Sequence, residues 1–237
     1  MAFAQQVRPI PGAVATVGVD ERLSFIKRTY GHLAGAIGLF IVIEYLLLNS
    51  EIGMRWVIWT LNTSWLLVLG LFIAASWIAE KWARSDTSPT MQYIGLGLFV
   101  VAEAFIFAPL LAIATYYAAD QYLVHKAAVI TLLLFGGLTG TVFFTKKDFS
   151  FLRPILAVAT LAAFGIIVVS LIWGFALGTL FSAAMVVLAA GFILYDTSQV
   201  LAHYRPTQHV AAALALFASI ALMFWYVINL LLSLQGD

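Results

Sequence analysis

The sequence predicts an all-α membrane protein, a bundle of seven transmembrane helices, on three observations. Of its 237 residues, 63% are hydrophobic and only 10% are charged, where a soluble domain carries about a quarter charged residues; mean hydropathy is +1.02. Seven apolar runs approach or exceed the ~20 residues that cross about 30 Å of hydrocarbon. No stretch shows the alternating pattern of about ten residues that marks a transmembrane barrel strand.

The runs lie near 30–49, 56–79, 91–117, 126–145, 154–175, 178–203 and 210–234, the third and seventh long enough to tilt. Ahead of them, residues 1–29 read as a polar arm, with the stretch "AFAQQVRPIPGAVATVGVD" disordered, and residues 30–237 as the membrane domain. Arg22, Lys27 and Arg28 directly precede a full-length apolar run, so the first helix reads as an uncleaved anchor and not as a signal peptide. With the N-terminus cytoplasmic, ten Lys and Arg fall inside: Arg8, Arg22, Lys27, Arg28, Lys81, Arg84, Lys146, Lys147, Arg153 and Arg205. Only two, Arg55 and Lys126, fall outside. That bias predicts a cytoplasmic N-terminus and a C-terminus on the other side. The absence of cysteine excludes disulfides, thiol nucleophiles and Cys-based metal sites, and a net charge of +1 argues against a nucleic-acid partner.

Two features bear on packing. Gly31, Gly35 and Gly38 mark one face of the first span, and Gly136 and Gly140 one face of the fourth. Small residues let helix backbones approach in lipid, so these faces are expected to pack tightly within the chain, with a homodimer seam as the alternative. Pro109 interrupts the third span and frees the carbonyl of Phe105. That carbonyl needs a neighbour or water, which leaves a plain kink and a hydrated bend beside Glu103 both open.

Three acids fall inside spans, Glu44, Glu103 and Asp196, and no span interior supplies a Lys or Arg for them. A charge at mid-bilayer costs roughly 2.5–3.5 kcal/mol even on the permissive scale, so such groups take up protons, bind cations or line water. Glu44 lies close to the outer end of its run and is expected to snorkel to the interface. Glu103 lies near the midplane, and Asp196 about 10 Å from the cytoplasmic end of the sixth span. Gln199 at i+3 and His203 at i+7 share the helical face of Asp196, a polar stripe suited to a relay or a hydrated vestibule. Two full turns are too far for Asp196 and His203 to share one metal ion. The alternative is an aspartate hydrogen-bonded to a neighbouring helix for packing. No HExxH, GxSxG or Walker motif is present, so the chain reads as a non-enzyme without a resident cofactor.

"YDTSQ" at 195–199 resembles the signature of the Bax inhibitor-1 family of membrane proteins, in its bacterial branch. "FIKRTYGHLAGAIGLF" at 25–40, "FTKKDFSFLRPIL" at 144–156 and "FWYVINLLL" at 224–232 are similar to the family's first helix, its basic turn between the fourth and fifth spans, and its final helix. The resemblance implies a seven-helix bundle with the last helix surrounded by the other six. It implies a pH-sensitive calcium leak in which a sixth-helix aspartate pairs with a seventh-helix aspartate. The first position is Asp196; the second falls on Tyr226 when Asn229 is registered against the family's pattern. A phenol cannot share a proton as a second carboxylate would, which makes Glu103 the alternative partner. The family's basic residue in the second helix has no counterpart in that span's interior here. Asp196 and Glu103 are thus the expected ligands of a transported cation, calcium by its preference for hard oxygen. Tyr226, His203, Gln199, Asn229 and Glu44 are further ion- or proton-handling residues. The implied setting is an inner membrane, with the bilayer, calcium and protons as partners. The rival reading is a non-transporting regulator whose N-terminal arm engages a membrane protease or a cell-death protein.

Overall fold

The computed structural model describes residues 12–85 and 88–236. Among them are eight α-helices and no strand: α1 (Val19–Leu48), α2 (Glu51–Asn62), α3 (Trp65–Ala83), α4 (Pro89–Tyr116), α5 (Leu123–Thr145), α6 (Leu152–Trp173), α7 (Gly178–Ala202) and α8 (His209–Gly236). Seven are long and apolar enough to cross a membrane; α2, with 12 residues, is not.

The expected second span, 56–79, is therefore two elements. Hydropathy runs on across residues 62–64, but the chain there reads Asn-Thr-Ser, residues whose side chains compete with the backbone for hydrogen bonds. Thr60 Oγ1 donates back to Val57 O at 2.8 Å and Asn62 Nδ2 to Ile58 O at 2.7 Å. The helix stops, and α3 restarts at Trp65. At its other end α2 is capped by Ser50, whose hydroxyl accepts from the Gly53 amide at 3.1 Å.

At the N-terminus α1 reaches back to Val19, well ahead of the apolar run. Residues 2–11 of the arm lie outside the described residues. The remainder is not loose: Gly12 turns at φ +81°, Val14–Thr16 form a single 3-10 turn, and Ala13 and Val14 are fully buried. The Val14 amide donates to the carbonyl of Tyr204, beyond the end of α7, at 2.8 Å. Burial pushes the Tyr204 phenol up to about 12. A strap from the start of the chain thus lies across the α7–α8 connection.

Two helices account for most of the interior. In their most apolar stretches 67% of α4 and 72% of α8 are buried, against 28% or less for the other spans. α8 packs on α1, α3, α4, α5 and α7, while α6 leans on α7 and touches α3. Phe107 of α4 ties the centre together. Its ring meets Phe40 of α1 edge-on at 5.2 Å, stacks on Phe224 at 5.8 Å, and meets Trp225 edge-on at 5.0 Å.

The glycine faces turn out differently from expectation. A Cβ added at Gly31, Gly35, Gly38 or Gly136 would meet nothing within 4 Å, so none of them marks a close helix contact. Close approach falls elsewhere. A Cβ at Gly95 would lie 2.6 Å from the Ala79 carbonyl oxygen, and one at Gly53 would run into the Leu47 backbone. These are the points where α4 rests on α3 and α2 folds against the end of α1.

The carbonyl that Pro109 frees finds a partner within the protein. The Phe105 carbonyl accepts from Trp56 Nε1 of α2 at 2.8 Å, and the two rings meet edge-on at 5.2 Å. The short helix that the hydropathy reading merged into a span thus satisfies the carbonyl that the proline leaves free. Trp56→Phe should lower stability by about 1–3 kcal/mol through the unpaired carbonyl, read from thermal unfolding in detergent. In a Pro109→Ala background the helix supplies its own amide, and the cost of Trp56→Phe should fall to its packing share.

Candidate functional site

A cavity of about 1060 Å³ lies between α3, α6, α7 and α8, with α4 as its inner wall. Its lining is largely apolar, and the exceptions are Ser76 and Glu80 of α3 with Arg84 at its C-cap, Glu103 of α4, Thr160 and Ser170 of α6, Ser182 and Asp196 of α7, and Ser219, Tyr226, Asn229 and Ser233 of α8. Glu103 and Asp196, on different helices, open on this one space. Ser76 Oγ is buried without a partner. The cavity exists because α6 stands off from α8: Leu156, Ala163 and Ser170 are its only buried residues.

Asp196 sits where the cavity nears the end of α7. Its Oδ2 accepts a hydrogen bond from the Ser219 hydroxyl of α8. Glu80 and Arg84, ion-paired to each other at 3.9 Å, line the same end. The basic group absent from the span interiors is therefore supplied at a helix end, by Arg84 at the C-cap of α3.

The residue facing Asp196 across the helix pair is Ser219, not Tyr226. Seven residues separate Ser219 from Tyr226, about 10 Å along α8, which places Tyr226 deeper on the same cavity wall. There its ring meets Phe181 edge-on at 6.1 Å and is buried with Ala163 and Met185. The registration against Asn229 fails because the two helices lean together from their connection outwards. Residue 196 therefore meets an early residue of α8. Asn229 lines the cavity while its amide donates to Trp225 O at 2.8 Å.

The polar stripe below Asp196 does not extend the cavity. Gln199 and His203 are absent from its lining. Three residues at 3.6 per turn leave Gln199 about 60° off the Asp196 direction, and its amide donates to Ser150 Oγ at 2.7 Å. Ser198 Oγ accepts from the Phe149 amide at 3.3 Å and donates to Tyr195 O. Ser198 and Gln199 of the YDTSQ motif thus anchor the basic α5–α6 turn. That turn is itself held by Asp148, which accepts from the Ser150 amide and hydroxyl at 2.9 and 2.5 Å. His203 Nδ1 is buried without a partner.

Glu44 does not snorkel. It is 5% exposed, and both carboxyl oxygens are buried with no hydrogen-bond partner. The sequence carried a signal for this: Phe25, Thr29, Leu33, Ala36, Phe40 and Glu44 form one buried stripe on α1, at the spacing of three and four that defines a helix face. Glu44 lies outside the cavity lining. Among the described residues no group of three or more His, Cys, Asp or Glu could hold a metal ion.

The family model described as "Inhibitor of apoptosis-promoting Bax1" matches residues 22–236. The chain belongs to the Bax inhibitor-1 family. It is similar to Bax inhibitor 1 of Schizosaccharomyces pombe, with 26% identity over 94% of this chain and 82% of that protein. It is also similar to Protein lifeguard 4 of Mus musculus, with 25% identity over 92% of this chain and 88% of the relative. An uncharacterized protein of Neisseria meningitidis serogroup A is 26% identical over 79% of this chain and 78% of its own length. The protein is thus a multi-pass membrane member of this family, with seven apolar spans.

The anchoring role of the motif can be checked by proteolysis. Gln199→Leu removes the tie to Ser150 and should make trypsin cleave after Lys146 and Lys147 several-fold faster, with the rest of the chain resistant.

Proposed function

We propose that this protein is a proton-sensitive leak for cations, calcium in particular, across a bacterial inner membrane, with the end carrying Arg84 and Lys146 in the cytoplasm. One observation carries the reading: Glu103 and Asp196 come from different helices and line one cavity. Two carboxylates spaced along a shared space suit a cation in transit, while a resident ion would need a tighter cluster of hard ligands. Asp196 and Arg84 stand at the cytoplasmic end, Glu103 on the inner wall, and Ser76, Ser219 and Asn229 offer further oxygen between apolar surfaces. Tyr226 lines the passage deeper in, and Glu44, buried outside it, takes no direct part. Gln199 supports the cytoplasmic turn, and neither it nor His203 takes a direct part in conduction.

Protons compete with a cation for the same carboxylates, so calcium flux should fall as the pH is lowered. The positive-inside bias and the similarity to a Neisseria protein support the orientation and the membrane. A second reading, a regulator that binds a membrane-embedded partner, draws on the name Bax inhibitor 1 of the yeast relative. In that reading the arm engages the partner, and deleting residues 2–19 abolishes regulation.

In vesicles holding the purified protein, Asp196→Asn and Glu103→Gln should each reduce calcium uptake by about tenfold and flatten its dependence on pH. Uptake by Asp196→Asn equal to that of the unaltered protein overturns the leak. Flux that survives deletion of residues 2–19 favours the leak over the regulator.

A further inference from the structure

Away from the cavity, a second space of about 430 Å³ runs between α1 and α4. Its walls are apolar: Ala36 and Leu39 from α1, Leu96 and Val100 from α4. Its floor is glycine, Gly31 and Gly35 on α1 and Gly97 on α4, and a Cβ at any of the three would meet nothing within 4 Å. The glycines therefore keep a channel open where larger side chains would fill it. From Arg28 to Leu39 the groove follows twelve residues of α1, eleven rises of 1.5 Å or about 16 Å. That is close to half of the ~30 Å hydrocarbon core, the depth of one leaflet.

The end of the groove nearest the start of α1 is cationic. Arg28 lines it and makes no ion pair among the described residues. His32 lies beside it, with Nδ1 on the Arg28 carbonyl oxygen at 2.6 Å and Nε2 near the Tyr93 hydroxyl at 3.2 Å. The ring of His209, from the start of α8, stands 5.1 Å from that of His32. No acid lines the groove.

We propose that this groove binds an anionic phospholipid of the leaflet at the basic end of the bundle, one acyl chain over the glycines and the phosphate against Arg28. The charge asymmetry selects this occupant. A basic pocket at the foot of a membrane helix attracts anionic headgroups, and a guanidinium pairs with phosphate through two parallel hydrogen bonds. A second copy of the chain fits less well. A two-fold axis along the membrane normal uses the same patch on both copies, which would set two unpaired Arg28 side chains at one depth, facing each other.

The test is native mass spectrometry of the full chain released from nanodiscs of phosphatidylglycerol or of phosphatidylcholine with the same acyl chains. One phosphatidylglycerol should remain bound per chain, with phosphatidylcholine retained at least tenfold less. Arg28→Gln should remove the preference between the two lipids. Gly35→Leu, which the empty space around Gly35 accommodates, should remove retention of both, with the thermal unfolding of the protein unchanged. Equal retention of the two lipids by the unaltered protein overturns the proposal, as does undiminished retention by Gly35→Leu. A lipid-free dimer overturns it in favour of a second copy.

Discussion

In the hydrocarbon region no water is at hand, so each polar atom must find its partner within the protein or face a wet space inside it. This constraint organises the bundle. The Phe105 carbonyl released by Pro109 is met by Trp56, which turns α2 from a loop remnant into a wedge against α4. The same requirement joins α7 to α8 through Asp196 and Ser219, and α7 to the α5–α6 turn through Gln199 and Ser150. Hydroxyls without a distant partner, such as those of Thr141 and Thr145, donate to their own helix one turn back. Polar residues in this chain serve as connectors first.

The groups that escape this rule are the informative ones. Ser76 Oγ and the oxygens of Glu44 are buried without partners, and Glu103 is buried at mid-span. Ser76 and Glu103 share the cavity with Asp196, which gives them a space to face. Glu44 has none. Two acids that look alike in the sequence thus differ in surroundings, one lining the cavity and the other packed outside it.

Much of this was legible beforehand. Composition and run length established seven spans, and the boundaries of α4, α7 and α8 fall within a few residues of expectation. The free carbonyl at Phe105 followed from proline chemistry alone, and the depth of Glu103 and Asp196 from residue counts. What failed were statements about neighbours. Gly31, Gly35 and Gly38 were expected in a helix seam, yet the tight contacts are at Gly53 and Gly95. Spacing tells which residues share a face and leaves open what that face meets. Glu44 was misplaced for a related reason: its distance from the helix end was weighed, and the buried stripe from Phe25 to Phe40 that leads up to it was not.

By itself the sequence determined that the chain crosses the membrane seven times and carries uncompensated acids at depth. Those properties depend on hydrocarbon thickness and on the cost of charge within it, and both can be read along a single helix. Only the tertiary structure decided that Glu103 and Asp196 share a space, that Ser219 meets Asp196 while Tyr226 lies two turns deeper, and that Arg84 reaches the cavity from a helix end. Each of these depends on how far one helix slides and leans against another. That offset is set by the summed packing of many side chains such as Phe107 and by close approaches such as Gly95, and no local pattern encodes it.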